Sequence, residues 1–257
     1  CSVALTYHRA QDGVSCHYCG YHRGRPRTCS TCGSDKIALT GTGTERLEEK
    51  LRDLFPQARL ARLDRDTARG RRAPGEILSA FERGDFNLLA GTQMVAKGHD
   101  FPGVTIVGVI GADNVLGLPD FRAAERTFQL LTQVAGRSGR GAEPGEVIVQ
   151  AFHCEHYAIE TAARQDYAAF YEKESRYRRI MKYPPFVALA NLVVHAASPE
   201  SGVKRVGVVA QVLRSLAGDG MQVIGPSVAP LARLKGKYRY QVLVKSPLLL
   251  LRAAPGG

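Results

Sequence analysis

Five of the six cysteines lie in the first 32 residues, and four of them form two Cys-x2-Cys pairs, Cys16–Cys19 and Cys29–Cys32. A glycine follows each pair, Gly20 and Gly33, and lets the chain turn so that backbone amides face the thiolates. Zinc takes four soft ligands at tetrahedral angles, and two such turns supply them. A pair of disulfides is the alternative, but the N-terminus carries no signal-peptide pattern that would place it in an oxidising compartment. Zinc is therefore expected, with His17 and His22 as loop residues. Cys154 stands apart from the others and is expected to be a small buried side chain.

Three other segments carry chemistry. Gly91-Thr-Gln-Met-Val-Ala-Lys-Gly-His-Asp-Phe-Pro102 combines donors (Thr92, Gln93), a cation (Lys97), a glycine (Gly98) and a carboxylate (Asp100) directly after an expected strand. Loops at the carboxyl ends of parallel strands are where open α/β sheets bind ligands. Gln133-Val-Ala-Gly-Arg-Ser-Gly-Arg140 puts two guanidinium forks, Arg137 and Arg140, on one small surface. Arginine suits a transferring phosphoryl group because it meets several oxygens bidentately. Alone this is also what a basic turn looks like; the combination with the upstream loop is the specific signal. Arg233-Leu-Lys-Gly-Lys-Tyr-Arg-Tyr240 is the richest basic and aromatic cluster. There Lys235, Lys237 and Arg239 could neutralise phosphates while Tyr238 and Tyr240 stack on bases. A strand with inward tyrosines and solvated cations fits equally well.

The elements that must position these residues read as follows. Thr44 can N-cap a helix with an acidic first turn (Glu45, Glu48) and an apolar face of Leu47, Leu51 and Leu54, ended by Pro56. A strand at Arg59–Leu63, a helix at Gly75–Arg83 stopped by Gly84, and a strand at Phe86–Ala90 follow. The Val- and Ile-rich run Val104–Ile110 is expected to be a strand buried on both faces. Arg122–Val134 reads as a helix and Glu146–Phe152 as a strand. This alternation implies a parallel sheet with helices on both faces. His156–Met181 reads as one long helical stretch broken at Pro184-Pro185. Beyond it come a strand at Val187–Ala196, a helix at Pro199–Leu216, and strands at Met221–Ile224 and Tyr238–Val244, a small α+β unit. The expected division is a cysteine-rich module at 1–40, an α/β lobe at 41–155, a helical linker at 156–186 and a terminal domain at 187–257.

Composition sets outer limits. Of 257 residues 44% are hydrophobic and 23% charged, as in an ordinary globular chain. The net charge of +11 points to polyanions, nucleic acid ahead of an anionic membrane. No apolar run approaches the roughly 18–20 residues needed to cross a bilayer. Starting at Cys1 and ending in Ala-Ala-Pro-Gly-Gly, the chain is expected to be part of something longer.

The loop after Gly91 and the segment ending at Arg140 resemble motifs V and VI of superfamily-2 helicases. The stretch between them, Ala112-Asp113 and Leu118-Pro-Asp-Phe-Arg-Ala-Ala-Glu-Arg, narrows the resemblance to the PriA family of replication-restart DNA helicases. The knuckles, Tyr183-Pro-Pro-Phe186, Gly225-Pro-Ser-Val-Ala-Pro-Leu231 and Lys237-Tyr-Arg-Tyr-Gln241 extend it along essentially the whole chain. The resemblance implies an ATP-driven 3′-to-5′ DNA helicase that recognises abandoned forks and starts primosome assembly. It implies that 41–155 is the second of two RecA-like lobes, whose partner lobe supplies the phosphate loop and the acidic Mg²⁺ motif. Neither Gly-x-x-x-x-Gly-Lys-Ser/Thr nor Asp-Glu-x-His occurs here, so this polypeptide alone is expected not to hydrolyse ATP.

By the same resemblance Arg140 is the finger on the γ-phosphate, and Arg137 and Gln133 line that interface. Gly98 and Asp100 couple nucleotide to DNA, while Thr92, Gln93 and Lys97 face the DNA. The family carries four cysteine pairs and two zinc ions in nested order. That order gives Cys1, Cys16 and Cys19 to one zinc and Cys29 and Cys32 to the other. A single site closed by Cys16, Cys19, Cys29 and Cys32 is the alternative. Implied partners are replication forks, single-stranded DNA, single-stranded DNA-binding protein and primosome proteins in the bacterial cytoplasm at the nucleoid, with no membrane. A non-enzymatic zinc-ribbon module that docks on DNA or replication proteins is the competing reading. Half of an RNA helicase is a third; the cysteine module and the Pro119-Asp-Phe-Arg122 stretch speak against it.

Overall fold

A computed structural model describes residues 5–8, 12–16, 21–29, 31–36, 44–64, 74–92, 95, 101, 103–136 and 145–247. The chain divides into two compact units. One is Thr40–Ser175; the other joins Cys1–Leu39 to Arg176–Gly257.

The first unit alternates strand and helix. Helix α1 (Thr44–Leu54) precedes β4 (Leu60–Leu63), α2 (Pro74–Glu82) and β5 (Leu88–Gly91). Strand β6 (Ile106–Ile110), α3 (Ala123–Ala135), β7 (Glu146–Gln150) and α4 (Tyr157–Ala163) complete it, and α5 (Tyr167–Ile180) starts within it. Strands β4 and β5 pair in parallel with Leu63 opposite Gly91, and β6 and β7 with Ile110 opposite Gln150. Gly91 is required by that pairing, since a methyl group there would run into the Leu63 carbonyl.

Helix α1 differs from expectation in detail. Leu54 is exposed, and Thr44 stands inside the first turn with its hydroxyl donating to Asp64 Oδ2 at 2.5 Å. Charge fastens the helix to β4: Arg62 lies 3.0 Å from Glu48, 3.1 Å from Asp64 and 3.7 Å from Glu45. Two apolar clusters hold the unit. Ala61, Leu63, Ile77, Leu78 and Phe101 form one, with Phe81 and Phe101 edge to face at 5.1 Å. Ala112, Phe128, Leu131, Ala158, Ile159, Ala162 and Phe170 form the other, with Phe128 and Phe170 stacked at 4.1 Å.

Two expectations are corrected here. The strand at 104–110 is not buried on both faces. Val109 and Val149 point into the second cluster, whereas Ile106, Ile110 and Ile148 are 63%, 51% and 55% exposed. The stretch 156–181 is two helices rather than one. Gln165 takes a φ of +53°, the Gln165 and Asp166 amides fall back on Ala162 and Thr161, and Asp166 Oδ1 accepts from Ala169 N to start α5. His156 caps α4, its Nδ1 accepting from Ala158 N at 3.2 Å. Tyr157 then donates to buried Glu174 at 2.5 Å and ties α4 to α5.

In the second unit, β1 (Thr6–His8), β2 (Gly13–Ser15) and β3 (His22–Gly24) make a small antiparallel sheet in sequence order. The terminal domain is an antiparallel sheet of order β8-β10-β9 formed by Ala188–Ala196, Lys237–Ser246 and Gln222–Leu234. Helix α6 (Pro199–Ser215), capped by Ser198, covers one face. Its Val206 and Ala210 pack on Val242 with Val194, Val223 and Tyr240 around them. Gly202 sits against Tyr240, where any side chain would collide with the ring. Strand β9 is far longer than the expected Met221–Ile224. Being an edge strand, it takes up Pro226 and Pro230, whose missing N–H groups need no ladder partner there. The turn to β10 has two residues, Lys235 at φ +49° and Gly236 at φ +81°, the combination a tight hairpin asks for.

Candidate functional site

The described residues bring three pieces of the expected sites into view. The first is the Cys29 knuckle. Gly33, at φ +70°, returns its amide to the Cys29 carbonyl at 2.9 Å, and Cys29 N bonds Ser34 O at 2.8 Å. The backbone amides of Cys32 and Thr31 point at the Cys29 sulfur, and with the Cys32 side chain they bring its thiol down to about 7. A thiol prepared in this way is a thiolate ligand in waiting. Cys29 and Cys32 carry free thiols, and Cys16 is buried. The donor set therefore fits zinc better than a disulfide. Cys1 and Cys19 lie outside the described residues, among which no group of three ligand side chains converges on one point. Cys154, contrary to expectation, is exposed; it follows β7 in the turn that leads to α4.

The second piece is the carboxyl ends of the strands. Asp64 follows β4, Thr92 follows β5 and Asp113 lies just beyond β6. Thr92 is exposed, and its amide reaches back to Leu63 O at 3.4 Å. Gln133 is half-buried in the last turns of α3. Gln93, Lys97, Gly98, Asp100, Arg137 and Arg140 lie outside the described residues.

Asp113 has a role the residue pattern does not single out. Its buried Oδ2 accepts from Phe152 N at 2.8 Å and His153 N at 2.9 Å, joining the loop after β6 to the loop after β7. Burial pushes the carboxyl up, but the His153 and Phe152 amides more than reverse this and hold it below the usual carboxylate range. A depressed carboxyl stabilises the fold above its unfolded pKa, and that stability is lost as pH falls through the folded value. We expect the melting temperature of wild type to fall more steeply than that of Asp113→Asn as pH drops below about 4. Parallel curves for the two proteins would remove this role.

The third piece is the hairpin tip. Lys235 in the turn and Lys237 at the start of β10 are both exposed. The Arg233 guanidinium lies 4.9 Å over the Tyr238 ring and its Nε donates to Gly236 O at 3.3 Å. Arg239 and Tyr240 point elsewhere. Arg239 donates to Leu231 O at 3.3 Å, and the Tyr240 hydroxyl donates to Pro199 O at 3.2 Å while its ring packs beneath α6. The cluster thus splits along the hairpin, between a cationic tip and two residues further from the turn that hold the sheet and the helix.

Comparison with known proteins covers nearly the whole chain. Residues 1–23 match the PriA DNA helicase Cys-rich region domain, 30–142 the helicase conserved C-terminal domain, and 179–254 the primosomal protein N C-terminal domain. Replication restart protein PriA of Bacillus subtilis is 45% identical over 245 residues, 95% of this chain and 30% of that protein. Its namesakes in Synechocystis and Haemophilus influenzae are each 38% identical over 96% of this chain, and 30% and 34% of their own lengths are covered. The chain therefore spans about a third of the length of these relatives. With three successive domains of one protein type matched in order, the chain belongs to the PriA family of replication restart proteins.

Proposed function

We propose that this chain supplies the second motor lobe, the zinc module and a DNA-binding terminal domain of an ATP-dependent 3′-to-5′ DNA helicase that acts at stalled or abandoned replication forks. The observation that carries the reading is the ordered three-domain match, which encloses both the Thr92–Asp100 loop and the Gln133–Arg140 segment. ATP sits between this lobe and one that carries a phosphate loop. Arg140 meets the γ-phosphate, with Arg137 and Gln133 beside it, and Gly98 and Asp100 link that site to DNA held by Thr92, Gln93 and Lys97. Residues 1–257 hold no phosphate loop and do not turn over ATP by themselves.

The proposed boundaries are 1–40, 41–155, 156–186 and 187–257. Zinc, two ions in the whole protein, fixes the first of these through Cys1, Cys16, Cys19, Cys29 and Cys32. Mg²⁺ accompanies the nucleotide. The work is done in the bacterial cytoplasm with single-stranded DNA-binding protein and primosome proteins; among the described residues no helix is long and apolar enough to cross a membrane. Unwinding by the intact protein of a forked DNA but not of an RNA duplex of the same sequence supports the reading. Equal activity on both, or on neither, ends it.

In the terminal domain the DNA contact is assigned to the tip: Lys235, Lys237 and Tyr238, with Arg233 stacked behind, while Arg239 and Tyr240 hold the sheet. The double change Lys235→Ala, Lys237→Ala should weaken binding evenly across DNA sequences. It should also reduce the slope of log affinity against log salt by about 1.8 for duplex DNA, about 0.9 for each phosphate no longer neutralised. An unchanged slope in anisotropy titrations would leave the tip as solvated surface.

A further inference from the structure

Lys245 is a buried cation outside the sites assigned so far. The register of β10 against β8 is unbroken, so Val242, which packs on α6, and Lys245 face opposite sides of the sheet. Lys245 is 8% exposed. Its Nζ donates to Met181 O at 2.8 Å and lies 3.9 Å over the Tyr183 ring. These partners are a neutral carbonyl and a π face, and no carboxylate acts on the amine among the described residues. Burial, and after it the Lys182 charge, push the amine below the ordinary lysine range. An apolar side chain of the same length would fill this place without that cost.

The turn that Lys245 grips is itself fastened to α5. Met181 N bonds Tyr177 O at 2.9 Å and Tyr183 N reaches back to Arg178 O at 2.8 Å, with Lys182 between them at φ +51°. Arg178 donates to Pro184 O at 3.3 Å, and the Arg179 guanidinium lies 4.8 Å over the Phe186 ring. Earlier in α5, Phe170 stacks on Phe128 of α3, the helix that carries Gln133 toward Arg137 and Arg140. From Phe170 to Ile180 α5 is about 15 Å of helix. From Lys245 back to Lys237 at the hairpin tip β10 is about 27 Å of strand. Two stiff elements, one rooted beside α3 and one ending at the tip, are thus joined at Lys245.

We propose that Lys245 is a positioning residue for unwinding: it locks β10 to the end of α5, so that movement of α5 driven by ATP reaches the DNA-binding tip. Apolar contact is non-directional and lets surfaces slide, whereas a cation held by one carbonyl and one ring face fixes a single register. That is what a joint between two stiff elements needs, and it accounts for a charge kept in a place where an apolar residue would pack. The proposal rests on the helicase reading and on the tip as a DNA contact, and adds the joint that links them.

The test uses the intact, zinc-loaded protein. ATP turnover with single-stranded DNA, unwinding of a labelled DNA fork, DNA anisotropy and melting temperature are measured on one preparation. Lys245→Met keeps the stem and removes the charge. It should leave turnover and DNA affinity within about two-fold of wild type and slow unwinding about five-fold, so that more ATP is hydrolysed per base pair opened. Tyr183→Leu removes the ring face and should do the same. Lys245→Arg keeps a cation for the ring and a donor for Met181 O, and should restore most of the rate. Because the tip lies at the far end of the route, adding Lys245→Met to Lys235→Ala, Lys237→Ala should slow unwinding no further. Independent losses in that triple variant overturn the proposal, as does unwinding at the wild-type rate in Lys245→Met. Turnover, affinity and melting temperature falling together in Lys245→Met also overturn it, since Lys245 would then only hold the fold. If wild type neither hydrolyses ATP on DNA nor opens the fork, the helicase reading fails and the joint with it; if wild type opens the fork and Lys245→Met does so equally well, the joint alone fails.

Discussion

Replacing Arg140 with alanine in the intact protein should lower ATP turnover by about 10³- to 10⁵-fold and leave DNA affinity within about two-fold of wild type. The reasoning starts from the chemistry of phosphoryl transfer. Charge spreads over three equatorial oxygens of the transferring group, and little covalent work is left for the protein, so positioning and electrostatics carry the catalysis. A guanidinium fork that reaches two of those oxygens at once contributes most in the transition state. Lysine cannot reproduce this, because its charge is a point and its donors are not planar; Arg140→Lys should recover little. Arg137→Ala and Gln133→Ala should cost less, since they line the site rather than finish it. Steady-state ATPase with saturating single-stranded DNA, beside anisotropy on the same preparation, separates the outcomes. Equal loss of turnover and DNA binding would mean that Arg140 holds DNA or the fold, and the finger assignment would be abandoned.

How much of the molecule is legible in its residues depends on the kind of signal. Periodicity locates α3, α6 and the parallel strands to within a few positions, because an apolar face leaves a trace wherever a helix or strand packs. It fails where tertiary context decides. The strand expected at Met221–Ile224 stops short, yet an edge strand has room for Pro226 and Pro230, and β9 runs from Gln222 to Leu234. A run of Val and Ile at 104–110 reads as buried, but nothing local says which face a helix will cover; Ile106 and Ile110 remain largely open. The break at Gln165 gives no warning, since a glutamine at positive φ has no signature of its own.

The sites follow the same division. The cysteine pairs are plain because metal chemistry fixes both residue type and spacing, and the glycine behind Cys32 does adopt the left-handed turn. Asp113 stands out in the sequence only as part of a motif, since its partners are backbone amides 39 and 40 residues away. Arg239 and Tyr240 belong to the same basic and aromatic run as Lys237 and Tyr238. Only the register of β10 against β8 and the packing under α6 show that Tyr240 faces inward.

Stripping zinc from the intact protein should unfold the cysteine-rich module and leave the α/β lobe folded. The sheet β1-β2-β3 has strands of three residues each, too short to bury a core of their own. What apolar interior it has is narrow, with Val14 and Cys16 as its buried apolar side chains among the described residues. Four-thiolate zinc sites bind with about 10–16 kcal/mol, and in small modules that binding energy is the folding energy. The lobe instead rests on the cluster around Phe128, Leu131 and Phe170, none of which is a candidate metal ligand. Hydrogen exchange with and without a chelator should therefore show the amides of Cys16, Cys29 and Gly33, bonded to Tyr21, Ser34 and Cys29 carbonyls, losing protection while those of β6 and β7 keep theirs. Cys29→Ser should reproduce the effect without a chelator, since the cradle of Thr31 and Cys32 amides would then face an alcohol that does not ionise. Zinc content of the same samples separates the two ligand arrangements. Two ions in wild type and one in Cys29→Ser support the nested order, and one falling to none supports a single site built by Cys16, Cys19, Cys29 and Cys32. If exchange at Cys29 and Gly33 is unaltered by chelation, the knuckle is held by its own hydrogen bonds and the zinc assignment falls.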